Sequence, residues 1–73
     1  MKVHVVVENI VGEPSLKLVT TRITKAFDMF RRLMIESDLE TLTEAEIKKA
    51  FDAGEYDFGD CCGVWYWHEE VEE

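Results

Sequence analysis

The sequence predicts an α+β fold, a two-layer ββααβ sandwich in which a small three-stranded sheet carries two helices on one face. Two runs of β-branched residues near the N-terminus predict strands, and apolar residues three and four apart in the middle of the chain predict helices. An aromatic segment near the C-terminus predicts the last strand. The 73 residues suffice for one compact domain, residues 1–73, without a linker.

The first strand is expected at the N-terminus, where valines alternate with residues that are themselves largely apolar. Val3, Val5 and Val7 fall on one side of the chain, and Val6 and Ile10 fall on the other. This two-sided apolar character is typical of a strand with neighbours on both sides, so we expect it at the centre of the sheet. Turn-forming residues at positions 12–15 predict a four-residue hairpin connection to an antiparallel second strand at residues 16–20.

The first helix is expected from about residue 22 to about residue 36. Its apolar residues recur at steps of four, three and four, which places them in a single stripe along the helix. The stripe consists of Ile23, Phe27, Phe30 and Met34 and is widened by Ala26 and Leu33. This helix is therefore predicted to be the main packing helix.

The second helix is predicted to begin at a capping box, in which Thr43 and Glu46 satisfy backbone groups of the first turn. Gly54 stands where a left-handed C-terminal cap belongs, so the helix is about ten residues long. Glu44 is spaced to pair with Lys48 on its exposed side.

The C-terminal third is predicted to contain a polar loop at residues 55–60 and a strand at residues 61–71, placed beside the first strand. In this strand Trp65, Trp67 and Val71 share one side and are expected to pack on the helices. The other side carries Tyr66, His68 and Glu70 and is expected to be exposed or to lie at the back of the sheet. The pattern leaves the direction of this strand open.

The formal charge of −8 is concentrated at the C-terminal end. Residues 1–51 contain eight acids and eight bases and sum to zero, whereas the last 22 residues contain eight acids and no Lys or Arg. The same 22 residues hold five of the eight aromatic residues and both cysteines. Localised acids among aromatic side chains indicate a surface for a basic partner.

No residue pattern predicts an enzyme, a cofactor or a metal site. Cys61 and Cys62 are adjacent, so on a strand their side chains point to opposite faces and do not converge with His4 or His68 on a metal. The pair also lacks the two-residue spacing of thioredoxin-like centres. A metal or redox module using Cys61 and Cys62 is kept as a third hypothesis.

Nucleic acids, nucleotides and membranes are disfavoured as ligands. Residues 17–32 carry five bases against Asp28, but residues 33–73 carry thirteen acids and two lysines, a field that repels a polyanion. The four glycines are scattered and form no phosphate-binding loop. Apolar runs fall far short of the roughly 20 residues that span a bilayer, and the N-terminus lacks a signal-peptide pattern. We therefore expect a soluble, cytoplasmic protein.

The expected partner-binding residues combine carboxylates with aromatic rings. Carboxylates on one face of a strand repeat at roughly 6.6 Å, a spacing that can occupy a groove built for phosphates. Aromatic rings add anchors with few torsions to freeze. The candidates are Glu55, Tyr56, Asp57, Phe58, Asp60, Tyr66, Glu69, Glu70, Glu72 and Glu73.

With EYDFGD at residues 55–60 and WYWHEEVEE at residues 65–73, this compact acidic chain resembles small phage-encoded inhibitors of nucleic-acid-handling machines, among them anti-CRISPR and anti-restriction proteins. The resemblance implies a non-enzymatic protein of the host cytoplasm that occupies the nucleic-acid groove of a defence complex or prevents its assembly. Its partner is then a basic protein surface. The alternative is a small structural or regulatory domain that oligomerises, for example as a homodimer.

Overall fold

The computed structural model describes residues 1–37, 42–59 and 62–71 and shows a two-layer α+β fold. In chain order, the elements are β1 (Lys2–Ile10), β2 (Glu13–Thr20), α1 (Ile23–Ser37), α2 (Glu44–Ala53), β3 (Glu55–Gly59) and β4 (Cys62–Glu70). The strands of these described ranges form one antiparallel sheet in the order β2-β1-β4-β3. The α+β class and the central position of β1 are confirmed, whereas the expected three-stranded ββααβ arrangement is corrected to a four-stranded ββααββ arrangement.

The hairpin between β1 and β2 turns more tightly than predicted. Ile10 pairs with Glu13, so Val11 and Gly12 alone form the loop instead of four residues. Both have positive φ, 50° for Val11 and 81° for Gly12. Two-residue hairpin loops require such angles because the turn then matches the right-handed twist of the strands. Pro14 fits within β2 because β2 lies at an edge of the sheet, where a missing N–H is tolerated.

α1 packs on the sheet through the predicted stripe, but the centre of the buried side is shifted around the helix from Ile23 towards Ala26. Ala26, Phe30 and Met34 are fully buried, while Ile23 at the start of the helix is largely exposed. Phe27 packs edge-to-face on Phe51 of α2, with ring centroids 5.1 Å apart, a favoured aromatic geometry. Neither described helix combines the length and apolar character needed to cross a membrane.

α2 begins and ends as the sequence predicts. The hydroxyl oxygen of Thr43 accepts the backbone N–H of Glu46 at 3.2 Å, and the hydroxyl itself donates to the Glu46 carboxylate at 3.0 Å. At the other end, Gly54 adopts the left-handed conformation and donates its N–H to the carbonyl groups of Ala50 and Phe51. These caps satisfy backbone groups that a helix end otherwise leaves without partners.

The expected pairing of Glu44 with Lys48 is wrong. The guanidinium of Arg31 on α1 lies 2.6 Å from the Glu44 carboxylate and donates from two nitrogens. Arg31 outcompetes Lys48 because its planar fork matches a carboxylate in two places. Lys48 instead pairs with Asp52, one turn later on α2, at 2.7 Å.

The core lies between the two helices and one face of the sheet. Val6 of β1 and Val64 of β4 are fully buried there, together with Ile47 of α2. The carbonyl of Gly54 accepts the N–H of Tyr66 at 2.8 Å, which ties the end of α2 to β4. Both helices therefore contribute to a single layer, as predicted, and within the described residues no element covers the opposite face of the sheet.

Candidate protein-binding surface

The segment predicted as a polar loop, residues 55–60, forms the edge strand β3 over residues 55–59. Glu55 and Asp57 are exposed, and Tyr56 and Phe58 between them are half-buried. This strict alternation of acid and aromatic ring has the period of two that marks a half-buried strand. The acids of the segment are typical of a loop, which explains the prediction of a loop. The alternation of acid and aromatic ring is the signal that predicts the strand.

The two faces of β4 are the reverse of those predicted. Val6 pairs with Tyr66, so Tyr66 shares the helix-facing side, and the directly bonded neighbours Trp65 and Trp67 must point to the other side. Trp65 is 38% exposed, Trp67 is 41% exposed, and Val71 is equally accessible. The expectation that Trp65, Trp67 and Val71 pack on the helices is therefore wrong, because alternation gives two faces but does not say which one the helices cover. In the structure Val64 and Tyr66 occupy the face that the helices cover.

The uncovered side of the sheet therefore forms an apolar surface, called here the open face. Its members are Val3, Val5, Val7, Leu16, Val19, Trp65 and Trp67. Six of them lie in two rows across the sheet, because Val5 pairs with Val19 and Trp67, and Val7 pairs with Leu16 and Trp65. Val3 lies beyond these rows, opposite Glu69. Flanked by Leu16 and Trp65, Val7 retains only 7% exposure although no described helix reaches it.

Carboxylates border the open face on the side of β3 and at the end of β4. Glu55 lies directly opposite Trp65 on the neighbouring strand, Asp57 lies opposite Gly63, and Glu69 lies opposite Val3. No Lys or Arg follows Lys49 in the chain, so β3 and β4 bring no cation to these acids. Arg31 and the other bases of α1 belong to the helix layer, on the opposite side of the sheet. The open face is therefore apolar at its centre and anionic at its border.

A shallow pocket interrupts the open face at Gly63, where β4 presents no side chain. Its volume is about 430 Å³, and the residues around Gly63 include Asn9, Glu55, Asp57 and Trp65. Asn9 and Asp57 are the two cross-strand neighbours of Gly63, one on each side. Asp57 is oriented by a hydrogen bond of 2.7 Å that its Oδ1 atom accepts from the backbone N–H of Gly59. The pocket therefore combines one indole with two carboxylates.

The three predicted aromatic anchors, Tyr56, Phe58 and Tyr66, lie on the helix-facing side. All three are half-buried and pack against the core, so the prediction that Tyr66 is on the exposed side of its strand is wrong. The Tyr66 ring stacks on Phe51 with centroids 4.1 Å apart. Tyrosine suits this position because its ring fills the core while its hydroxyl reaches the polar edge. A role in partner binding for these rings stays a prediction.

His4 and Tyr66 form a polar pair at the edge of the core. The Nδ1 atom of His4 lies 2.7 Å from the hydroxyl oxygen of Tyr66, and His4 is only 6% exposed. Burial lowers the pKa of His4, and the neighbouring His68 lowers it further. Burial also raises the pKa of the Tyr66 hydroxyl. Both shifts favour the neutral form of the group, and His4 is a sheet residue as the sequence predicts.

The remaining predicted site residues fall at the chain end or outside the described residues. Glu70 is exposed and lies 3.6 Å from the N-terminal amine. Asp60, Cys61, Glu72 and Glu73 lie outside the described residues. The half-buried Cys62 accepts the backbone N–H of Val11 at its sulfur, 3.5 Å away. Within residues 1–37, 42–59 and 62–71, no three His, Cys, Asp or Glu side chains are grouped as a metal site requires.

No protein-family model, curated protein or solved structure matches the chain.

Proposed function

We propose that this protein is a non-enzymatic, acidic protein-binding inhibitor that docks through its open face on the basic surface of a nucleic-acid-handling protein. The observation that carries the proposal is the exposure of Trp65 and Trp67 on an uncovered sheet face bordered by Glu55, Asp57 and Glu69. Exposed tryptophans surrounded by a polar border are typical of binding surfaces rather than of solvated ones. A bacterial defence complex is the first target class to test.

Charge and size favour a foreign partner over a second copy of the chain. The open face spans about 14 Å across three strands and about 20 Å along them, or roughly 280 Å², from standard strand spacings. This is about a third of the ~800 Å² that each partner contributes to a standard interface, so the border must also take part. Each copy carries a formal charge of −8, so two copies repel each other, whereas a basic partner would neutralise the border carboxylates.

The test is affinity capture from a bacterial lysate with four variants beside the wild-type protein. The face variant is Trp65→Thr/Trp67→Thr, and its control is Ile35→Ser, which removes an exposed apolar side chain from the helix layer. The border variant is Glu55→Gln/Asp57→Asn/Glu69→Gln, and its control is Glu13→Gln/Glu36→Gln, two exposed acids elsewhere. Threonine keeps the strand preference at both tryptophan positions, and asparagine keeps the acceptor for Gly59.

We expect the wild-type protein and both controls to retain the same nucleic-acid-binding protein, and the face and border variants to lose it. Retention should weaken as salt rises because exposed charges are screened. The retained protein is then assayed for nucleic-acid binding, which the wild-type inhibitor should abolish. Equal retention by all five proteins, or a retained protein whose nucleic-acid binding is unaffected, contradicts the proposal.

A further inference from the structure

We propose that the pocket over Gly63 receives an arginine side chain of the partner, with the guanidinium against Trp65 and between the carboxylates of Glu55 and Asp57. The inference rests on the proposed function and names the group that this surface recognises. It is carried by the juxtaposition of one indole, two carboxylates and a missing side chain on adjacent strands.

The sheet geometry creates the pocket. Gly63 and Trp65 are successive residues on the same side of β4, roughly 6.8 Å apart, and a gap lies beside the indole at Gly63. Asn9 of β1 and Asp57 of β3 flank the gap on either side. Gly63 also cannot carry a side chain, because a Cβ atom there would lie 2.8 Å from the carbonyl oxygen of Tyr56. Gly63 is itself buried because the backbone of β3 lies this close, so the side chains around Gly63 form the accessible wall of the pocket.

The chemistry around the gap selects a planar cation. Directly opposed residues of neighbouring strands have Cβ atoms about 5 Å apart, so Glu55 can hold a charge over the face of Trp65. A cation over an indole face is stabilised by the ring quadrupole, and arginine occupies such sites more often than lysine. A guanidinium presents five N–H donors in one plane and binds carboxylates in two places, whereas an ammonium acts as a point charge.

Basic residues of this chain do not compete for the pocket. Lys48 pairs with Asp52 and Arg31 pairs with Glu44, both on the helix layer. Lys17 of β2 lies 3.5 Å from Glu8. Glu8 and Asn9 are neighbours on β1, so the Glu8 side chain lies on the other face of the sheet from the pocket. These three bases are held elsewhere and neither β3 nor β4 contains a Lys or Arg, so the pocket suits a cation supplied by a basic partner.

The test titrates the ¹⁵N-labelled protein with N-acetyl-arginine amide and with N-acetyl-citrulline amide, which has nearly the same shape but no charge. We expect arginine to shift the indole N–H of Trp65 and the backbone N–H of Gly63 in a saturable way, and citrulline to leave both in place. The double variant Glu55→Gln/Asp57→Asn should weaken arginine binding about fivefold, from roughly 0.5 kcal/mol for each exposed charge pair. The control Glu13→Gln should bind as the wild-type protein does.

Four results would overturn the assignment. These are shifts of equal size with citrulline, larger shifts with N-acetyl-lysine amide, no shift at Trp65 and Gly63, and shifts of these signals with protein concentration alone. The last result would mean that a second copy occupies the face. If arginine does not bind but capture of a nucleic-acid-binding protein still depends on the open face, the proposed function is retained and only the arginine pocket is rejected. If arginine binds but no such protein is captured, the arginine pocket is retained and the proposed function is rejected.

Discussion

Replacing Gly54 with alanine should lower the free energy of unfolding through two separate effects, a left-handed backbone and a steric contact with β4. The φ of Gly54 is 87°, and a Cβ atom at this position would lie 2.9 Å from the backbone carbonyl oxygen of Tyr66. Gly12 has nearly the same φ, 81°, but a Cβ atom there would meet nothing within 4 Å. The two glycines therefore separate the free-energy cost of a left-handed backbone from the cost of the steric contact.

The expected losses follow from these two terms. Gly12→Ala should lower the free energy of unfolding by about 1.5 kcal/mol, the cost of a left-handed conformation for a residue with a Cβ atom. Gly54→Ala should lose the same amount and a further ~2 kcal/mol for overpacking against β4, because a carbonyl in a paired strand cannot easily move. At roughly 6 °C per kcal/mol for a domain of this size, the melting temperature should fall by about 9 °C and about 20 °C.

Urea denaturation followed by circular dichroism measures both losses, and the slope of each transition should match that of the wild-type protein. Losses of equal size in the two variants would refute the close approach of α2 to β4. A smaller loss for Gly54→Ala than for Gly12→Ala would refute the left-handed cap as well.

Three further measurements test local features of the structure. Val11→Asn should raise the free energy of unfolding by about 1 kcal/mol, since Asn before Gly suits a two-residue turn and a β-branched residue at positive φ does not; denaturation that shows no gain would contradict the turn. Below pH 7 the free energy of unfolding should fall, because folded His4 has a lowered pKa and the unfolded chain, with a pKa of about 6.5, takes up the proton first. His4→Gln should remove most of that slope between pH 7.5 and 5.5 and His68→Gln should retain most of it, so a slope unchanged in His4→Gln would disprove the assignment. The hydrogen bond from Arg31 lowers the pKa of Glu44, so Arg31→Gln should raise that pKa in a carboxyl NMR titration while Lys25→Gln should leave it in place; no rise in Arg31→Gln would contradict the pair.

Local sequence signals predicted the elements whose formation depends on neighbours along the chain. The capping box at Thr43 and the glycine at position 54 place both ends of α2, because each acts within one helical turn. The stripe that includes Phe30 identifies the buried side of α1. The apolar character of β1 on both sides indicates a central strand, and the structure confirms it.

Features that depend on contacts between distant segments of the chain are harder to predict from the sequence. The choice of face for Trp65 and Trp67 follows from the pairing of Val6 with Tyr66, sixty residues apart, and alternation alone cannot make it. Lys48 has the spacing to pair with Glu44, but the packing of the helices brings Arg31 of α1 to that carboxylate instead. The acidic character of the segment predicts the carboxylates Glu55, Asp57 and Glu69 as site residues, whereas the strand pattern places the tryptophans beside them in the core.

Trp65 and Trp67 are the two tryptophans of the chain, so fluorescence quenching tests the exposed and anionic open face without knowledge of a partner. At low salt, acrylamide should quench both indoles efficiently, and caesium should quench them more than iodide because the border carboxylates attract cations. In the variant Glu55→Gln/Asp57→Asn/Glu69→Gln, the difference between quenching by caesium and quenching by iodide should become smaller. Blue-shifted emission that resists acrylamide, or quenching by iodide that equals or exceeds quenching by caesium, would contradict an open, anionic face.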